Sequence, residues 1–309
     1  MTEKKIEKRA RGYANLIKCL LPDFLSISGH RRRKKKKELK STYGGKPLAS
    51  NNLVDRKNSE TLFVLANGQS INEIDASKAH LIESKDSIGV NRWIHHRIIP
   101  TFYSLELSKC DHSKNREIRQ KLEDKWLDYK NVTFIVKRRP PIGDDADKIL
   151  ARLFENGNAF WADPKPISSP HKDTYRSLLK VISFLGLIDK SNSFFFNTAA
   201  SIVWCTGLGL KAGYKEIVLC GADLHGSYFF EDSILQQSID YDEHKLDALS
   251  SHTAQKIHKT QDLAYVYGGL PVSEVLDVVD QELLKPRGIR LYISSTKSLL
   301  YPRIPLYTW

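Results

Sequence analysis

This chain of 309 residues has neither paired cysteines nor a long apolar run. Its four cysteines, Cys19, Cys110, Cys205 and Cys220, are scattered without a CxxC pair. A zinc ribbon or a disulfide framework needs close, paired spacing, so neither is expected. Cys205 and Cys220 lie in apolar runs and read as small core residues. No stretch approaches the ~20 apolar residues that span a bilayer. The opening MTEKKIEKRARGYANLIKCLLPDF has no clean hydrophobic run ending in a small-residue cleavage site, so it does not read as a signal peptide. A cytoplasmic protein is expected. There is no internal repeat.

An excess of charge over the body is missing too. The formal net charge is +12, and residues 1–58 hold 17 Lys+Arg against 5 Asp+Glu, which accounts for all of it. Residues 59–309 are neutral and carry no electrostatic footprint for nucleic acid. With 41% hydrophobic and 27% charged residues the composition is that of a globular protein with a real core.

The basic segment, 1–58, reads as an appended, partly helical arm. Tyr13, Leu16, Ile17, Leu20, Leu21, Phe24 and Leu25 recur at helical spacing, broken by Pro22. RRRKKKK follows at Arg31–Lys37. An apolar helical face beside a polybasic block suits an anionic membrane surface, where each cation adds about 1 kcal/mol. The arm through residue 45 is the expected peripheral anchor. A solvated tail is the second reading, and nucleic-acid binding the third, against which the neutral body argues. The loop-like STYGGKPLASNN separates arm from body.

From residue 59 the pattern is strand, turn, helix. TLFVLA at 61–66 is a β-rich run, followed by a polar turn and a helix start in which Ser70 and Glu73 have capping-box spacing. Short apolar runs follow at Ser87–Val90, Thr101–Ser104 and Val132–Val136. Helices are expected around Tyr175–Leu187, Ala199–Ala212 and Val272–Leu284, with strands at Glu216–Cys220 and Ile289–Ser294. Residues 148–192 are otherwise mixed. Strands alternating with helices make this an α/β chain with a mainly parallel sheet covered on both faces.

Ligands of such sheets bind beyond the carboxyl ends of the strands. Three ends carry small polar residues: Asn67-Gly68-Gln69-Ser70, Asn91, and Gly221-Ala222-Asp223. Glycine lets backbone N–H groups approach a ligand, and Asn and Ser can read a base or ribose. Ordinary turn chemistry favours the same residues, but three such ends on one sheet favour a binding site. Gly207-Leu208-Gly209 with Gly213 imitates a dinucleotide fingerprint. These glycines fall inside or at the end of a helical stretch, so close packing and a helix stop explain them better, and a dehydrogenase is excluded.

FVLANGQSINEID resembles the AGNGPSLKEID opening of the bacterial lipooligosaccharide sialyltransferases. GLKAGYKEIVLCGADLHGSYF resembles their IALGYKEIYLSGIDFY, SHTAQKIHKTQD their SHYIGHSKNTD, and GIRLYISSTKSLL their IKLYCLCPNSLL. The four segments come in family order across most of 61–301. The NG opening is also similar to that of a broader group including pterin diphosphokinase-like proteins.

The resemblance implies one Rossmann-like nucleotide-binding domain over 59–309, with a small lid near 225–262. It implies transfer of sialic acid or a Kdo-like sugar from a CMP donor to a hydroxyl of a surface glycan or glycolipid, with inversion and no metal or other cofactor. Asn67, Gly68 and Ser70 would line the nucleotide pocket. Asn91, Gly221, Asp223 and Leu224 would contact the cytidine, with Ser201 and Ser227 nearby. Tyr228 would donate its hydroxyl to the departing phosphate. His258 matches the general base, with His252 the runner-up. A histidine of near-neutral pKa suits proton removal from an acceptor hydroxyl, and tyrosine hydroxyls can stabilise a phosphate in place of a metal. His95 and His96 read as surface residues.

The chain departs from the pattern in several places. His225 stands where the family has a second phosphate-contacting tyrosine, Ser104 where it has an asparagine, and Ala200 where it has a threonine. Two rivals remain open. A diphosphokinase-like nucleotide enzyme would need Mg²⁺ and acidic ligands near Asp223. A basic-tailed nucleic-acid-binding protein would show salt-sensitive binding by the body.

Overall fold

The structure, a computed structural model, describes residues 45–107, 112–137, 144–162, 167, 169–190, 200–225, 259–261 and 269–309. Eight strands run through them: β1 Lys46–Pro47, β2 Thr61–Leu65, β3 Asp86–Val90, β4 Phe102–Leu105, β5 Thr133–Lys137, β6 Ala159–Ala162, β7 Glu216–Cys220 and β8 Arg290–Ile293. They form one sheet in the order β1-β6-β5-β4-β3-β2-β7-β8, and every pairing is parallel. The main helices are α1 Ser50–Val54, α2 Ala76–Glu83, α3 His112–Asp124, α4 Asp144–Glu155, α5 Lys172–Phe184, α6 Ser201–Ala212 and α7 Val272–Val279. The expected Rossmann-like α/β architecture is what the chain adopts.

Period-two alternation explains why the strands read as continuous apolar runs. In β2, Leu62 and Val64 enter one core while Phe63 and Leu65 enter the other. In β7, Ile217 and Leu219 divide from Val218 and Cys220 in the same way. Both faces are covered, so neither set of side chains reaches water. Helices α1, α5, α6 and α7 close the first core, and α2, α3 and α4 the second. Each fully buried Leu, Val or Phe contributes roughly 1.5–3 kcal/mol.

Helix α6 is buried almost all round, from Ile202 to Ala212. It ends at Gly213, whose φ of 72° is the left-handed conformation of a helix stop. The glycines of the false fingerprint therefore pack within this helix. Cys205 and Cys220 are fully buried, and burial pushes both thiols up to about 12.

Three expectations change. The boundary at 58 moves back, because Lys46 and Pro47 pair with Phe160 and Trp161 at the sheet edge, and Leu53 of α1 is 3% exposed in the core. Residues 45–58 belong to the folded body; the rest of the arm, 1–44, lies outside the described residues. The helix expected over 272–284 is α-helical only to Val279 and continues as a π turn over Asp280–Leu284. His95 and His96 are half-buried rather than fully exposed at the surface. The His95 ring nitrogen Nε2 lies 3.0 Å from Glu117 Oε1 without hydrogen-bond geometry, and burial, the largest cause, lowers its pKa. His96 stacks on Trp93 with centroids 4.2 Å apart, and its Nδ1 accepts the Ile98 N–H at 3.1 Å.

Candidate functional site

From β2 onward the strand order reverses once. From β2 the chain steps outward through β3, β4, β5 and β6, then returns to place β7 on the other side of β2. Beyond the carboxyl ends at such a switch point lies the usual ligand crevice of an open parallel sheet. Two of the three polar strand ends meet there.

They meet by direct bonding. Leu65 pairs with Cys220 at the end of the ladder, and the Ala66 N–H reaches the Cys220 carbonyl at 2.8 Å. One step on, the Gly68 N–H donates to the Gly221 carbonyl at 2.9 Å. The Ser70 N–H then donates to Asp223 Oδ2 at 3.0 Å, and the Ser70 hydroxyl donates to Asp223 Oδ1. Asp223 is 5% exposed, so these donors stabilise a buried carboxylate. Ser70 and Glu73 consequently do not form a capping box. The Asp223 carboxyl across the crevice captures the serine, residues Gln69–Glu73 make a 3₁₀ turn, and the true N-cap of α2 is Asp75, which accepts from the Lys78 N–H at 2.9 Å.

Glycine is required at both contacts. A Cβ on Gly68 would lie 2.5 Å from Asp223 Oδ2 and from the Gly221 carbonyl. Gly221 has φ +65°, and a Cβ there would meet Ile71 at 2.6 Å.

A C-terminal strap holds the second loop from behind. Ser298 Oγ donates to the Ala222 carbonyl at 2.6 Å, and the Leu299 N–H to the Asp223 carbonyl at 3.0 Å. His225 donates from Nε2 to the Lys297 carbonyl at 2.6 Å; a carbonyl only accepts, which fixes the proton on that nitrogen. Lys297 and Ser295 both bind Glu73, at 2.6 and 2.8 Å. Partial burial works to raise the Glu73 pKa, but the hydrogen bonds from Lys297 and Ser295 outweigh it and hold the carboxyl below its ordinary value.

The chemistry left over is specific. The Gly68 and Ser70 donors are spent between the loops rather than presented outward. Asn67, 8% exposed, keeps a buried Oδ1 with no hydrogen-bond partner among the described residues. Leu224 holds a left-handed φ of 61°.

Farther along the same rim, Asn91 follows β3 with φ 52°. The Tyr103 hydroxyl donates to its carbonyl at 2.6 Å while accepting the Ile94 N–H at 3.1 Å. Burial pushes that phenol well above its ordinary pKa, so it remains a donor. Asn91 Nδ2 lies 3.4 Å from the hydroxyl of Ser201, the first residue of α6. Lys137 Nζ, at the end of β5, lies 3.4 Å from the same oxygen and 3.2 Å from Glu106 Oε2. The Ser104 hydroxyl accepts from Trp204 Nε1 at 3.0 Å and so belongs to the core.

Asn67, Gly68, Ser70, Gly221, Asp223 and Leu224 thus gather around the switch point, and Asn91, with Ser201 beside it, stands at the end of the next strand, β3. Ser227, Tyr228, His252 and His258 lie outside the described residues, as does all of the expected lid except His225 and 259–261. In that short turn Gln261 Oε1 accepts from Ser273 of α7 at 2.8 Å. Sequence reasoning missed Lys137 and Glu106. Lys137 closes the apolar run at 132–136, so the strand-end rule applied to that run would have found it. Among the described residues no three His, Cys, Asp or Glu side chains gather as metal ligands, and no helix is long and apolar enough to cross a membrane. Comparison with known protein families, curated proteins and solved structures finds no match to this chain.

Proposed function

We propose that this chain is an inverting glycosyltransferase that moves sialic acid or a Kdo-like sugar from a CMP donor to a hydroxyl of a surface glycan or glycolipid. The observation that carries the reading is the switch-point crevice. Six of the residues that the family resemblance assigns to the nucleotide, Asn67, Gly68, Ser70, Gly221, Asp223 and Leu224, come from two strand ends that meet there, and Asn67 Oδ1 is buried with no hydrogen-bond partner among the described residues. An orphaned buried acceptor costs about 1–3 kcal/mol, and a ligand N–H or hydroxyl, such as a cytosine amine or a ribose hydroxyl, removes that cost.

In the proposed reaction His258 takes the proton of the acceptor hydroxyl as its oxygen attacks the anomeric carbon. The new C–O bond forms on the face opposite the bond that breaks, so the configuration inverts. CMP departs with the bonding electron pair, and the Tyr228 hydroxyl donates to its phosphate. No metal is needed in this scheme because the charge leaving on the phosphate is met by a protein donor. Residues 1–44, with the RRRKKKK block, would hold the enzyme at an anionic membrane surface on the cytoplasmic side.

Thermal unfolding with a panel of nucleotides tests the donor. A ligand at a hundredfold excess over its dissociation constant stabilises by about 2.7 kcal/mol. CMP and CDP are expected to stabilise and purine nucleotides not to; the reverse order rejects the reading. Hydrolysis of CMP-, UDP- and GDP-sugars then identifies the sugar carried. A diphosphokinase-like enzyme predicts purine nucleotide binding that depends on Mg²⁺.

A further inference from the structure

Lys137 is a lysine where lysines seldom sit. It is 6% exposed, at the carboxyl end of a central strand, with its ammonium 5.7 Å from the centroid of the fully buried Trp204 ring. Such burial of a lysine requires a partner, and Glu106 on the neighbouring strand supplies one at 3.2 Å. Glu106 is itself 24% exposed, so the pair lies where the core opens onto the rim.

An ion pair tying two strand ends together would account for that contact, but not for the groups around it. Lys137 Nζ and Asn91 Nδ2 both point at Ser201 Oγ from 3.4 Å, the outer limit of a hydrogen bond. An ammonium and an amide N–H both donate to one hydroxyl, itself a further donor, and that neutral oxygen is a poor substitute for an anion. Ser201 also begins α6, a helix of twelve residues whose N-cap, Ala200, has no side-chain oxygen and whose first turn has no acid. Its dipole and its first N–H groups add positive potential at the same place. Asn91 stands two residues beyond the Leu65↔Gly89 pair on β3, as Asn67 does on β2. Asn67 Oδ1, buried and without a hydrogen-bond partner among the described residues, therefore lies on the adjoining strand end of this rim.

We infer that Lys137 is a specificity-determining residue that commits the crevice to a ligand bearing an anionic oxygen group, a carboxylate or a phosphate, seated among Lys137, Ser201, Asn91 and the first turn of α6. The inference rests on the proposed donor for what carries the anion: the carboxylate of an acidic sugar or the phosphate of CMP. Glu106 orients the ammonium and restrains it when no anion is bound.

The test is calorimetric titration of the full chain with cytidine, CMP, free N-acetylneuraminate and inorganic phosphate, repeated on Lys137→Gln and Lys137→Arg. Losing a hydrogen bond to a charged group corresponds to about tenfold to a hundredfold in affinity. Lys137→Gln is expected to weaken at least one anionic probe by that factor while cytidine binds as before, and Lys137→Arg is expected to restore most of the loss. A loss confined to N-acetylneuraminate identifies the sugar carboxylate, and a loss on CMP the phosphate. Anionic probes that bind Lys137→Gln within twofold of the parent overturn the inference and leave the CMP reading intact. If neither cytidine nor CMP binds the parent, the donor reading fails, and inorganic phosphate still decides the role of Lys137 by the same comparison. Absence of binding by every anionic probe overturns it as well. Should Lys137→Gln fail to fold, the paired variant Lys137→Gln with Glu106→Gln removes both charges and gives the same readout.

Discussion

Gly68→Ala is the sharpest perturbation of the crevice, because its cost is steric alone. Gly68 has φ −73° and ψ 160°, which any residue adopts, so an added methyl introduces no backbone strain. That methyl would lie 2.5 Å from both Asp223 Oδ2 and the Gly221 carbonyl. The first cannot swing aside freely, since Asp223 is 5% exposed and held by two Ser70 donors. The second is backbone, and accepts the Gly68 N–H at 2.9 Å. The two loops must part. Overpacking of this kind costs about 1–3 kcal/mol, and the weakened backbone bond about 1 more. Reduced entropy of the unfolded chain returns about 0.4–1 kcal/mol. A net loss of roughly 1–3.5 kcal/mol remains.

Urea unfolding followed by tryptophan fluorescence measures this loss, with Gly213→Ala as the comparison. Gly213 has φ +72° with open space where its Cβ would be, so its substitution carries conformational strain alone, about 1 kcal/mol. Asp223→Ala, combined with Gly68→Ala, separates the two clashes: relief of the carboxylate contact appears as coupling of about 0.5 kcal/mol or more. A Gly68→Ala protein as stable as the parent, with strictly additive behaviour in this cycle, would refute the account of the crevice as two interlocked loops.

Three further outcomes follow from the same structure and reading. Burial first, then the nearby Arg97 and Lys125 charges, lower His96 from 6.5 to about 4; its depressed folded pKa means the stability it contributes is present above pH 6.5 and lost as pH falls through about 4, so His96→Asn, which keeps an acceptor for Ile98, should flatten the loss of urea stability between pH 6.5 and 4. Deleting residues 1–44 should abolish sedimentation with anionic liposomes while leaving turnover of a soluble acceptor; the cut stops before Gly45, which is buried against Trp161, and equal liposome binding by the truncated protein would remove the arm as anchor. Under donor saturation His258→Ala should lower kcat by ~10²–10⁴-fold with little change in CMP affinity and His252→Ala far less; the opposite ranking exchanges their roles, and full activity in both rejects the carried-over base.

Much of the sheet was legible because burial on both faces makes a parallel strand an unbroken apolar word. β2, β3, β4, β5, β7 and β8 each coincide with such a run to within a residue or two. The elements that stayed hidden lack that signature for identifiable reasons. β1 is only Lys46–Pro47, exposed and held at an edge by its pairing with β6, so no local pattern announces it. In α3, HSKNREIRQKLED, the anchoring residues Ile118 and Leu122 are a single i, i+4 pair in a charged helix. Mixed composition around 148–192 concealed β6, whose four residues include two alanines.

The site was legible as a set of strand ends and illegible as a geometry. Sequence gives each end its own small polar residues, and nothing in it says that β7 returns to lie beside β2 rather than at the far edge. That single topological fact turns Gly68 and Gly221 from turn glycines into contact glycines. It also redirects Ser70 from the helix cap its spacing suggested to the Asp223 carboxylate 153 residues away. Local capping and long-range pairing compete for the same hydroxyl, and the buried Asp223 carboxyl wins by accepting both the Ser70 N–H and the Ser70 hydroxyl. The same competition explains Lys137. A terminal lysine on a strand reads locally as a solvated end, yet here Glu106 Oε2 and the hydroxyl of Ser201, the first residue of α6, lie 3.2 and 3.4 Å from its ammonium.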